Sequence, residues 1–74
     1  MEDKLNKIFK HIFRGKISFS ADLKRENSPM WDSLTHVKIC IAIEKEFNIR
    51  FDGADAVEMN SGTKILQILQ SKLS

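Results

Sequence analysis

The chain has 74 residues, with 12 Lys and Arg against 10 Asp and Glu, a formal charge of +2 and a single cysteine. That length allows one domain with a small core, stable by a few kcal/mol, and leaves no room for a deep catalytic cleft, which argues against an enzyme. One cysteine rules out an internal disulfide framework and a Cys-based zinc site, and the longest apolar run, 39–43, falls far short of the ~20 residues that span a bilayer.

Glu2 to Arg14 reads as a helix, because Leu5, Ile8, Phe9, Ile12 and Phe13 recur at i, i+3, i+4, i+7 and i+8 as one apolar stripe. Gly15 follows as its C-cap, with a cation in the last turn. Lys16 to Met30 has no sustained period and carries Ser18, Ser20, Asp22, Asn27, Ser28 and Pro29. It reads as a long connection pinned to the core by Ile17, Phe19 and Leu23, and a loop of this length is normally functional. Asp32 or Ser33 opens a second helix that runs to Phe47. Leu34, Val37, Cys40, Ile41, Ile43 and Phe47, widened by Ile39 and Ala42, make it apolar on nearly every side, the mark of a central helix. Asp52-Gly53 is a turn signal, Ala54 to Met59 suits only a short helix, and Ser61 is a candidate N-cap. Thr63 to Leu73 closes the chain as a helix with Ile65, Ile68, Leu69 and Leu73 inward. Ile49-Arg50-Phe51 is the one segment with room for a brief extended stretch. The expected fold class is all-α: a small bundle of three main helices plus one short helix, with a long loop between helices one and two, in a single domain over 1–74.

The charge is uneven. Residues 1–26 hold seven Lys and Arg against four acids, and residues 27–74 hold five against six. Lys4, Lys7, Lys10, His11 and Arg14 give helix one a basic side. This supports an alternative reading, a small basic helical nucleic-acid-binding or protein-interaction domain. Phe9 and Phe13 belong to the core stripe, however, and leave no aromatic free to stack bases.

Ser33 stands where the long loop meets the apolar helix. A serine there is exposed, held at a fixed angle, and close to backbone N–H groups without intrahelical partners. Those donors and the helix dipole favour a phosphate. The bland reading is that Asp32 and Ser33 only cap the helix. His36, three residues on, suggests a Ser–His pair, but no orienting acid or oxyanion hole is evident. His11 lies on the polar face of helix one, and two histidines on separate helices make no metal site. Cys40 is mid-helix and reads as a packing residue.

Asp32-Ser33-Leu34, with an apolar helix ending Ile43-Glu44-Lys45-Glu46-Phe47-Asn48-Ile49-Arg50-Phe51, resembles the acyl and peptidyl carrier proteins. The resemblance covers the whole chain in architecture, with its specific residues between Trp31 and Phe51. It implies that Ser33 carries a 4′-phosphopantetheine arm, that Asp32 aids the modifying transferase, and that Leu34 completes the motif. It places His36 near the phosphodiester, where its protonated form would pair with the charge. The partners implied are a phosphopantetheinyl transferase using coenzyme A, an acyl- or aminoacyl-loading enzyme and downstream synthase enzymes, with no catalytic residue in the chain itself. Partner enzymes of the family read acids on helix two, which points to Glu44 and Glu46. Lys38 stands where an acid is common. Trp31 stands where a small residue is common, and serves as a loop anchor or a partner contact. The basic first third also departs from a family that is acidic overall. An acyl chain would shelter between helices two and three, lined by Val37, Ile41, Val57 and Met59. The Trp31 departure points to a specialised fatty-acid, polyketide or peptide-type pathway, and the expected state is a cytoplasmic monomer, since Met1-Glu2-Asp3-Lys4 lacks the apolar stretch of a signal peptide.

Overall fold

The computed structural model describes residues 1–73. Four helices follow one another: α1 (Glu2–Ile12), α2 (Ser33–Phe47), α3 (Gly53–Glu58) and α4 (Gly62–Leu73). The long connection between α1 and α2 contains one 3-10 turn, Arg25–Asn27. The architecture is the all-α bundle of three main helices and one short helix that the periodicities predict. No strand forms among the described residues, and Ile49-Arg50-Phe51 does not pair. There the Phe51 amide donates to the Glu44 carboxylate at 2.8 Å.

α1 forms because its apolar residues fall on one stripe, with Glu2 and Asp3 in the first turn and Lys10 and His11 in the last, each complementing the dipole. It ends two residues earlier than expected. Arg14, not only Gly15, takes the left-handed conformation (φ 54° and 80°), and the Gly15 amide reaches back to the Lys10 carbonyl at 2.8 Å. This is a Schellman ending with Arg14 in the position that glycine usually fills. Asn48 ends α2 in the same left-handed way, and its amide donates to the Glu44 carbonyl.

Leu5 and Phe9 of α1 and Phe13 at its C-cap meet Ile39 and Ile43 of α2, Ile65 and Leu69 of α4, and Met59 in an enclosed core. The connection adds Phe19 and Trp31, whose rings lie 5.2 Å and 5.5 Å from the Phe9 ring, both edge-on. Ile17 and Leu23 pack on the rim. Edge-to-face contacts of this kind contribute about 0.5–1.5 kcal/mol each beyond burial, so the loop is fastened by aromatics at both ends. Leu73, expected inward, is largely exposed.

The same loop is stitched to the start of α4. Gly62 N–H donates to the Leu23 carbonyl at 2.8 Å, Thr63 N–H to Ala21 at 3.0 Å, and Arg25 N–H to Asn60 at 2.9 Å. Ser61 caps α4 as expected, accepting from the Lys64 amide at 3.1 Å. A Cβ on Gly62 would overlap the Ser20 carbonyl, so this seam closes only with glycine.

Candidate functional site

Asp32 is the N-cap of α2. Its backbone is extended and its carboxylate accepts from the Thr35 amide at 2.8 Å. Those Thr35 bonds hold the Asp32 carboxyl below the usual carboxylate range, with a smaller contribution from Lys38. Asp32 thus satisfies one of the orphan donors of α2. The amides of Ser33 and Leu34, in the first turn, donate to no protein acceptor among the described residues. Ser33 is exposed as the first helical residue, its hydroxyl at the free end of the helix.

Arg25 reaches Ser33 from the 3-10 turn. Its guanidinium donates through Nε to the Trp31 carbonyl at 3.2 Å and through a terminal nitrogen to Ser33 Oγ at 3.3 Å. No local pattern in the sequence singles out Arg25. The only signal is a cation in the loop ahead of the serine, and the seam to α4 is what brings it into place.

His36 borders the Ser33 groove, but its ring nitrogens are committed to protein partners rather than open to a phosphodiester. It is 8% exposed and has both ring nitrogens engaged. Trp31 Nε1–H donates to Nδ1 at 2.9 Å, which leaves the proton on Nε2, directed at the Ala56 carbonyl 2.6 Å away. The tautomer is assigned from these partners. The imidazole therefore links the loop, α2 and α3, and has no nitrogen to offer a phosphate or to serve as a base for Ser33. Trp31 is 2% exposed, so it is the loop anchor and presents no contact surface to a partner.

Ser33, Arg25, Val37, Ala56 and Val57 border an open groove of about 280 Å³ between α2 and α3, with the edge of His36 in its wall. Of the residues expected to shelter a chain, Val37 and Val57 lie in this groove. Val57 is 76% exposed. Ile41 lies outside it, half exposed, and Met59 is sealed in the core with no exposure at all. Leu34, Val37 and Ile41 form an exposed apolar strip on α2, with Leu34 67% exposed. Lys38 is exposed next to Val37, whereas Glu46 is exposed on the flank of α2 that faces α1. Glu44 is half-buried and accepts the Phe51 amide on one carboxylate oxygen. Cys40 is half-buried, and burial followed by the nearby Glu44 charge pushes its thiol up, away from a reactive thiolate.

No cluster of His, Cys, Asp or Glu suited to a metal is present among the described residues, and no helix there is long and apolar enough to cross a membrane. No family model and no curated protein matches the chain by sequence. Among solved structures, it is similar to the solution NMR structure of holo acyl carrier protein from Geobacter metallireducens. The TM-score is 0.84 at 22% identity, over 96% of this chain and 83% of that one. The chain therefore has the acyl-carrier-protein fold.

Proposed function

We propose that the chain, acting as one domain over 1–74, is an acyl or aminoacyl carrier protein whose Ser33 bears a 4′-phosphopantetheine arm. The observation that carries this reading is the setting of Ser33. Its hydroxyl is exposed at the open end of α2, 3.3 Å from the Arg25 guanidinium, on a groove that leads to α3. The likeness to a holo acyl carrier protein supports it.

The residues present suit such a group. A phosphodiester on Ser33 carries one negative charge. Arg25, which uses only two of its N–H donors on protein, and the unpartnered amides of Ser33 and Leu34 would hold it. Val37 and Val57 would flank the first part of the arm. When bound, the arm supplies the terminal thiol on which cargo is held as a thioester, so binding and orientation fall to the protein and bond-making to its partners. Those partners are a phosphopantetheinyl transferase with coenzyme A, a loading enzyme and the enzymes of a specialised fatty-acid, polyketide or peptide-type pathway. The exposed strip Leu34, Val37 and Ile41, with Lys38 beside it, is the surface they would read, and Glu46, exposed on the flank toward α1, would extend it. The protein acts as a cytoplasmic monomer.

The test is direct. With coenzyme A, magnesium and a broad-specificity transferase, intact-mass analysis should show the gain of one phosphopantetheine, mapped to Ser33, and no gain for Ser33→Ala. Modification at Ser18, Ser20 or Ser28, or no modification of the folded protein, would overturn the reading.

A further inference from the structure

The basic side of α1 plays no part in the carrier site. In the fold it meets α2 along a groove on the flank opposite α3. The floor of that groove is apolar: Ile8 and Ile12 from α1 and Ala42 from α2. Lys7 and His11 rise on one wall and Lys45 on the other, with Glu46 as the one acid on the rim, around about 390 Å³ of open space. The groove continues past His11 and Ile12 into a second hollow of about 450 Å³ between Arg14 and Lys38. Among the described residues the only ion pair is Lys72 with Asp55, so none of Lys7, Arg14, Lys38 and Lys45 is in ion-pair contact with an acid of the chain.

We infer that this α1–α2 groove is a docking site for an acidic amphipathic helix of a partner protein. Charge complementarity chooses the occupant. Lys7 on one wall and Lys45 on the other call for carboxylates on both flanks of the bound segment, and the isoleucine floor calls for an apolar ridge between them. A nucleic acid would satisfy the walls and leave the apolar floor unused, and the groove is lined by no Phe or Trp to stack a base. Phe47 is half-buried beneath the Lys4 ammonium, 5.5 Å from its centroid. The groove faces away from Ser33, so an enzyme could grip it while acting at the arm. Attraction between fixed charges at the rim would raise the rate of encounter more than the final affinity.

The probe is a synthetic helical peptide of about four turns, with leucines on one ridge and glutamates on both sides. It is titrated into the isotopically labelled Ser33→Ala protein, so the outcome is independent of any arm on Ser33. Amide shifts should concentrate at Ile8, His11, Ile12 and Ala42. A peptide of the same composition in scrambled order should bind at least about tenfold more weakly, and so should the ordered peptide to Lys7→Glu, Lys45→Glu. Lys7→Gln, Lys45→Gln, which adds no new charge to the fold, should weaken it several-fold, and Glu46→Gln should tighten it. Equal binding of the scrambled peptide, shifts centred elsewhere, or indifference to both double variants would overturn the proposal. So would single-stranded DNA or phosphatidylglycerol vesicles perturbing the groove where the ordered peptide does not.

Discussion

Trp31 donates its indole N–H to His36 Nδ1 at 2.9 Å, and the two rings stack at 27° with centroids 5.9 Å apart. The bond connects the aromatic core around Phe9 to the underside of the Ser33 groove, and the His36–Ala56 bond carries it on to α3. α3 has six residues and buries none of them, so its position against α2 depends on such fastenings, together with Met59 just beyond its end. Ser33 is thus set in place by a chain of contacts that runs from α1 through the loop.

Trp31→Phe keeps the ring and removes the donor. It leaves His36 Nδ1 unpaired in a buried site, which costs about 1–3 kcal/mol. Urea unfolding followed by far-UV circular dichroism should show a loss in that range. A loss below ~0.5 kcal/mol would mean that water replaces the indole at no cost.

Gly62→Ala should destabilise the protein by about 1–3 kcal/mol, because the new methyl meets backbone at Ser20 and Ala21 rather than a side chain that can swing aside. The loop must then move away from α4, and it carries Arg25 with it. The expected signature is a lower melting temperature together with amide shifts that reach through Arg25, in the seam itself, to Ser33 beyond it. Shifts confined to residues 61–64 would show that the seam does not position Arg25.

The pH dependence of stability should have two edges. Lys72 bridges Asp55 at 2.9 Å, joining α4 to α3. It holds the Asp55 carboxyl below its ordinary range, and Asp55 in turn raises the Lys72 ammonium. A lowered carboxyl contributes stability that is present above its unfolded value, about 3.9, and is lost as pH falls through the folded value. Asp32 adds to this acid edge through its Thr35 bonds. A raised ammonium contributes stability that is present below its unfolded value, about 10.4, and is lost as pH climbs through the folded value. Asp55→Asn should flatten the alkaline edge and reduce the acid one, measured as melting temperature against pH. An unchanged alkaline edge would assign it to other groups.

Lys38 is exposed on α2 beside the apolar strip, so it is placed to affect partner choice. Lys38→Glu should speed loading by enzymes that serve acidic carriers several-fold and slow loading by the cognate enzyme, mainly through the association rate and with a salt dependence. Identical rates with both enzymes would mark Lys38 as a solvated side chain.

Helices announce themselves locally, and for that reason the sequence alone determined the element order. The 3.6-residue stripe of α1, the cap at Asp32 and the cap at Ser61 are each written in a few consecutive residues, and the structure forms all three. Ser33 as the candidate residue was legible for the same reason: loop, cap and apolar helix adjoin in the chain. Tertiary structure alone decided which polar groups meet. Arg25 reaches Ser33 only because Gly62 lets the loop close on α4, a contact between segments some forty residues apart. His36 looked free for a phosphate until packing placed Trp31 and Ala56 at its two nitrogens, and Met59 looked like a groove wall until the core enclosed it. Periodicity records which face of a helix is apolar. It does not record which neighbour covers that face, because burial and hydrogen bonding are set by residues distant in sequence that become adjacent only on folding.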